Sequence, residues 1–182
     1  KLDGYGLDAG QLWRHSLAVA GCARSLAKKR NPNVIDDAFS AGLIHDCGKL
    51  ILDHYIFERK NVFDNFLKDG KKTFIEAERT ILGFDHAQIA ANVCEKWEIP
   101  KRLVSAIQYH HTPAMLRFNE LALIVHASDA IMHAPETPAA GTDSMDIAID
   151  SETLKFLNLD RKQIPFFQKE ANDYMEKTIS SI

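Results

Sequence analysis

The stretch Leu43-Ile44-His45-Asp46-Cys47-Gly48-Lys49-Leu50-Ile51-Leu52 sets three ionisable side chains inside a run whose other members read as buried. An unpaired carboxylate in such surroundings costs several kcal/mol even after the protein relaxes around it. Any fold open to this chain must therefore compensate that carboxylate, and the question is what does so.

The rest of the chain supplies helices. Leu12, His15, Val19, Cys22 and Leu26 recur at three- and four-residue steps, which predicts an amphipathic helix with His15 on its apolar face. Asn31-Pro32-Asn33 breaks it. A second helix is predicted from Asp36 to Cys47, apolar nearly all round through Ala38, Phe39, Ala41, Leu43 and Ile44. That pattern makes it a central buried element, with Gly48 marking its end. Helices near Tyr55 to Leu67 and Phe74 to Leu82 follow, separated by Lys68-Asp69-Gly70. Asp85 and Gln88 have capping-box spacing for a helix to about Trp97, with His86 in its first turn. Pro100 suits the first turn of the next helix, whose face Leu103, Val104, Ile107 ends at His110-His111. Asn119 is a candidate cap for a helix to about His133, with Leu121, Val125, Asp129 and Met132 on one face. Residues 135–150 read as a loop, and helices near Glu152 to Leu157 and Lys162 to Ile179 close the chain. No strand or internal repeat is legible. The expected fold is all-α, a single compact multi-helix bundle. Its core spans 1–134, and the C-terminal helices of 151–182 pack on the same domain.

Composition narrows the partners. The 182 residues carry 22 Lys and Arg against 25 Asp and Glu, a formal charge of −3, which gives no electrostatic footprint for nucleic acid or an anionic membrane. No apolar run approaches the roughly 18 residues of a membrane span, and no secretory signal is visible. Cys22, Cys47 and Cys94 form neither a CxxC pattern nor a disulfide framework, which suits a reducing cytoplasm. A chain that opens on Lys1 rather than Met is expected to be a piece of something longer.

Five predicted helices each present a metal-ligand type: His15, His45-Asp46, His86, His110-His111 and Asp129. Taken singly, each has an ordinary explanation. A lone inward histidine is more often a hydrogen-bonded core residue, and a lone buried aspartate a cap or an ion-pair partner. Lys49 alone is a last-turn lysine facing the helix dipole. Together they leave several buried polar groups without evident partners, and a metal centre satisfies them all at once. Imidazole and carboxylate donors suit Fe, Mn, Co, Ni or Zn.

The ordered set His15, His45-Asp46-Cys47-Gly48-Lys49, His86, His110-His111 and Asp129 resembles the HD superfamily of metal-dependent phosphohydrolases. The flanks LWRHSLAVA, AGLIHDCGKLIL, EAERTILGFDHAQIA, WEIP and YHHTP resemble its HDOD branch, the HD-related output domains of bacterial signalling proteins. The similarity covers roughly Leu12 to Met132. It implies a helical bundle with the metal site at its centre. His15, His45, Asp46 and Asp129 match the ligands of a first ion, and His86, His110 and His111 those of a second. An aspartate at the position of Asp46 bridges the two, and Lys49 matches a lysine that contacts substrate phosphate. Asp46 and Lys49 are thus the expected catalytic pair, with one or two divalent ions, Fe or Mn favoured. The implied activity is hydrolysis of a phosphate ester, a nucleotide or cyclic nucleotide above all.

The departures point to a second class. TPAML follows His110-His111 in place of the E-x-x-D-G-x-G-Y-P run of HD-GYP enzymes, and Gln11 stands where some of those enzymes place a third-metal glutamate. HDOD members usually carry a further helical segment before the HD-like part, and many have lost ligands. The alternative is therefore a non-catalytic signalling or interaction module, with protein partners or flanking domains, that keeps a metal- or nucleotide-binding site. His54 and His133 match no motif position and are expected at the surface or beside the ligands, as is His126. Cys47 would point about 100° away from Asp46 on a helix, which assigns it to packing.

Overall fold

A computed structural model describes residues 1–113, 119–134, 149 and 151–181. Apart from Ile149, the stretch read as a loop at 135–150 lies outside them. Among the described residues the fold is all-α. The helices are α1 (Gln11–Arg30), α2 (Ile35–Ile44), α3 (Gly48–Glu58), α4 (Lys60–Leu67), α5 (Phe74–Leu82), α6 (His86–Lys96), α7 (Lys101–Gln108), α8 (Glu120–His133), α9 (Ser151–Phe156) and α10 (Ile164–Ile179). An isolated bridge between Leu2 and Leu7 closes a small N-terminal hairpin. No helix among the described residues is long and apolar enough to cross a membrane.

The boundaries follow local chemistry. At Asn31 the chain leaves α1, and its side chain accepts from the Asn33 N–H ahead of a single 3-10 turn at Pro32–Val34. Asp85 and Gln88 form the expected capping box at α6, and a second box, Thr73 with Glu76, starts α5. Asn119 caps α8 by accepting from the Ala122 N–H. Pro100 sits one residue outside α7, at its N-cap.

Two expectations fail around Asp46. The second helix ends at Ile44, so His45, Asp46 and Cys47 form a turn, and Gly48 begins α3. Gly48 has no left-handed backbone of the kind that closes a helix. Its role is close approach: a Cβ there would lie 2.0 Å from the His86 carbonyl oxygen. The single helix expected from Tyr55 to Leu67 is also divided at Arg59, whose φ of −111° leaves the helical region. Neither glycine nor proline marks the break. It turns α4 so that Phe63 meets Leu52 and Ile56 in one small core with Ala77.

The larger core lies around α1 and α8. Nine residues of α8 are buried, from Leu121 to Ile131, and α1 packs along α2, α8 and α10. The central helix is thus α8 rather than α2, of which only Ala38, Ala41 and Gly42 are buried. At the α1–α2 crossing a Cβ on Gly42 would come within 3.0 Å of the Ala20 Cα. Only the stripe Gly48, Leu52, Ile56 of α3 is buried, which leaves Leu50 62% and Ile51 43% exposed although both read as core in the sequence. The turn at His45-Asp46 links α2, in the large core, to α3, in the small one. Helix α6 serves both, with Ala90, Ala91 and Cys94 in the first and Ile89 against the second.

Candidate metal centre

Histidines and aspartates from five parts of the chain meet at that junction. His15 comes from α1, His45 and Asp46 from the turn between α2 and α3, His86 from the first residue of α6, His110 and His111 from the turn after α7, and Asp129 from α8. Donor atoms of Asp46, His86, His110 and His111 lie within 4.8 Å of one another, as do those of His15, His45 and Asp46, and those of His45, His110 and Asp129. All seven residues expected from the sequence are therefore in one cluster.

Asp46 is its hinge. Oδ2 lies 3.8 Å from His15 Nε2, 3.4 Å from His45 Nε2 and 2.6 Å from the Lys49 ammonium, while Oδ1 lies 3.2 Å from His86 Nε2. Its two oxygens thus face two different groups of imidazoles. Asp129 Oδ1 stands 3.0 Å from His15 Nε2 and 3.5 Å from His45 Nε2.

The far side of each ring shows which nitrogen is free. His45 Nδ1 lies 2.7 Å from the Gly42 carbonyl oxygen and His110 Nδ1 2.6 Å from that of Ile107. A carbonyl can only accept, so Nδ1 donates in both rings, and each ring when neutral presents its Nε2 lone pair to the cluster. His45 Nε2, His110 Nε2 and Asp46 Oδ1 are buried and make no hydrogen bond. Buried polar atoms are nearly always partnered, and three orphans around one point suit a cation. The residues present therefore fit one or two divalent ions.

Electrostatics agree. Burial alone would raise the Asp46 carboxyl, but His45, Lys49 and His86 hold it well below the carboxylate range. Asp129 is held low in the same way, against its burial, by His133, His15 and His45. Burial pushes the His110 imidazole down to about 3, assisted by the His45 charge, and it lowers His111 as well. Burial disfavours the imidazolium of His86 too, yet Asp46 and Glu78 outweigh it and raise the group to about 9.

Three residues beside the cluster were not singled out in the sequence as part of it. Glu78 of α5 is fully buried, and its carboxylate accepts from the His86 Nδ1–H at 2.8 Å. The hydroxyl of Tyr5 donates to the same carboxylate at 2.7 Å. His133 donates from Nδ1 to the Asp129 backbone oxygen at 3.0 Å, and its ring stands 4.4 Å from that of His15. Only its spacing, four residues after Asp129, could have signalled this. His126 donates from Nδ1 to the His110 backbone oxygen and belongs to none of the donor groups. His54 is exposed beside Glu58. Burial raises the Cys47 thiol to about 12, and the side chain packs against the large core. A pocket of about 280 Å³, lined by Leu7, Gln11, Leu12, His15, Asp46, Lys49 and His133, opens the cluster to solvent.

An all-helical bundle with a buried histidine–aspartate cluster at a helix–helix turn is the class this architecture defines. The HDOD domain family matches residues 1–113, and the chain belongs to it. It is 23% identical over 191 residues to an uncharacterized protein of Treponema pallidum (strain Nichols), covering 94% of this chain and 31% of that relative. Its fold is similar to a "Putative phosphohydrolase" from Shewanella amazonensis SB2B, with a TM-score of 0.71, 20% identity and coverage of 94% of this chain and 64% of that one. It is similar also to a "Putative signal transduction protein" from Marinobacter aquaeolei VT8, with a TM-score of 0.69, 21% identity and coverage of 97% and 42%. An HDOD domain protein with unknown function from Geobacter sulfurreducens gives a TM-score of 0.64 at 20% identity, with coverage of 97% and 60%. The chain thus spans under a third of the curated relative and less than two thirds of each of these solved chains.

Proposed function

We propose that this domain is a metal-dependent phosphohydrolase acting on a phosphate ester, a nucleotide or cyclic nucleotide in the first instance. The observation that carries the reading is the set of orphaned atoms, His45 Nε2, His110 Nε2 and Asp46 Oδ1, gathered where Asp46 turns one oxygen to each imidazole group. His15, His45, Asp46 and Asp129 would hold one divalent ion, and Asp46, His86, His110 and His111 the other, Fe or Mn being favoured. When bound, such ions polarise phosphoryl oxygens and lower the pKa of water toward neutrality, which is the chemistry attack on phosphorus needs.

The chain's own residues do the rest. Asp46 holds the two donor groups in register. Lys49, on the wall of the open pocket, carries a positive charge to where non-bridging oxygens gain charge in the transition state. Gln11, Leu7 and Leu12 line the same pocket, where the ester would sit.

Elemental analysis and turnover of a panel of phosphate esters and cyclic dinucleotides, with Mn²⁺ or Fe²⁺ added, test the reading. Asp46→Asn should lose bound metal and lose roughly hundredfold or more in turnover together. An active, metal-free Asp46→Asn protein would sink it. Wild-type protein that takes up metal and binds nucleotide without turning over any ester would support a signalling module. The signal-transduction description of the Marinobacter neighbour and the many residues of that chain beyond the match favour keeping this second reading in the test.

A further inference from the structure

Glu78 is a buried carboxylate to which the proposed chemistry gives no task. It belongs to no group of converging donors, yet it has no solvent exposure and accepts from three donors on His86 and Tyr5. Capping of α6 does not explain it. That end of the helix already has the Asp85–Gln88 box, and the Glu78 bond to the His86 backbone N–H, at 2.8 Å, comes in addition. What Glu78 adds is control of a ring. Its carboxylate accepts from the His86 Nδ1–H at 2.8 and 3.0 Å, so the ring turns Nε2 to the cluster, 3.2 Å from Asp46 Oδ1 and 2.9 Å from His111 Nε2.

The charge on the two sides of Asp46 is unequal. The donors around His15 include the carboxylates of Asp46 and Asp129, whereas those around His86 are three imidazoles and the shared Asp46. Three neutral rings and a shared carboxylate bring less negative charge to a second divalent ion than the donors around His15 bring to the first. A carboxylate bonded to the outer nitrogen of a liganding histidine corrects this, because it fixes the tautomer and makes the ring a stronger donor. Tyr5 keeps that carboxylate in place. The Asp53 Oδ1 accepts from the Gly4 and Tyr5 backbone N–H groups at 2.8 and 3.3 Å, so the hydroxyl is presented to Glu78 Oε1 by a tethered hairpin.

We propose that Glu78, braced by Tyr5, is the positioning residue that makes the His86–His110–His111 half of the cluster a second cation site. The inference rests on the metal-centre reading and deepens it: the first ion is held by the ligands themselves, and the second depends on a carboxylate that never touches it.

Titration of the metal-free full chain with Co²⁺, followed by visible absorption and by equilibrium dialysis, tests this without any activity. Wild type should bind two ions and His86→Ala one. Glu78→Gln keeps the side-chain shape and removes the charge. It should weaken the second ion by roughly ten- to hundredfold while the first changes less than about twofold. Circular dichroism and the melting temperature of the apoprotein show whether the variant is folded. Should it not fold, Tyr5→Phe carries the test, because it removes one bond to Glu78 and leaves the carboxylate; the second ion should then weaken several-fold. Unchanged binding of both ions in Glu78→Gln, or in Tyr5→Phe where that variant decides, overturns the proposal. So does wild-type protein that binds a single ion. Wild type that binds no ion at all overturns the metal centre itself, which tells the two failures apart.

Discussion

His45 and His110 are aimed by what their outer nitrogens touch, and this gives the apoprotein a defined response to pH. The carbonyls of Gly42 and Ile107 fix both rings by neutral hydrogen bonds, whereas His86 is fixed by a carboxylate. His110 has its pKa lowered from 6.5 to about 3, so the unfolded chain takes up its proton first as the pH falls. The stability this buried neutral ring contributes is therefore complete above 6.5 and is lost progressively from there toward 3. Asp46 and Asp129, both held low, lose their contribution further down the same acid limb. His86 behaves in the opposite sense, because its pKa is raised from 6.5 to about 9. Its contribution is complete below 6.5 and disappears as the pH climbs to about 9. Chelator-treated protein should accordingly melt highest near the ordinary histidine value of 6.5 and fall off on both sides. Melting curves between acid and alkaline buffers check this, and a flat profile across neutrality would contradict the protonation states assigned here. Because His86 must give up a proton to ligate, loading with metal near pH 7 should also release protons, which calorimetry in buffers of different ionisation enthalpy detects.

At the scale of the element, the cluster depends on how closely α3 and α6 approach. Gly48 lets the backbone of α3 lie directly on the first turn of α6, two residues from Asp46 and against His86. Gly48→Ala would place a methyl group 2.0 Å from the His86 carbonyl oxygen, so the helices must separate. Overpacking of this kind costs about 1–3 kcal/mol, and here it also moves Oδ1 of Asp46 away from His86. The variant should melt lower and lose metal, the second ion before the first; wild-type metal content would show that the contact is not needed. Gly48 was visible in the sequence, but as a helix terminator, because its neighbour across the interface was not. The same limit governs what else could be read. Amphipathic periodicity and caps placed α1, α6, α7 and α8, since those signals lie within a few residues of one another. The break at Arg59 carries no local signal and is imposed by the packing of Phe63 on Leu52 and Ile56. Glu78 reads as one more charge among Glu76, Glu78 and Arg79, and only the packing around α5 shows that it faces His86. The ordered histidines and aspartates were legible from their order and spacing along the chain, whereas their supports, Glu78 and Tyr5, carry no such pattern.

At the scale of the molecule, the cluster stands where two cores join, which makes it a structural element as well as a candidate reaction centre. The large core runs through α1, α2 and α6 to α10, and the small one through α3, α4 and α5. His15 and Asp129 come from elements of the first, and His45 and His110 directly follow two more, α2 and α7. Asp46 stands at the turn into the second, and Glu78, behind His86, belongs to α5 within it. A cation bound among these groups therefore ties one core to the other, and does so only in the folded chain. By mass action, free metal at a hundred times its dissociation constant should add about 2.7 kcal/mol. For a chain of this size each kcal/mol moves the melting temperature by about 2–4 °C, so metal should raise it by roughly 5–10 °C. Chelation should reverse the shift, and Asp46→Asn should abolish it, because the carboxylate with an oxygen toward each donor group is gone. Phe63→Ala separates the two contributions. Its cavity in the small core should cost about 3–5 kcal/mol, yet the metal-dependent increment should persist as long as α3 still meets α6. Scanning calorimetry of the three proteins with and without Mn²⁺ measures both quantities. A melting temperature indifferent to metal in the wild type would show that the ions, if bound, do not join the cores.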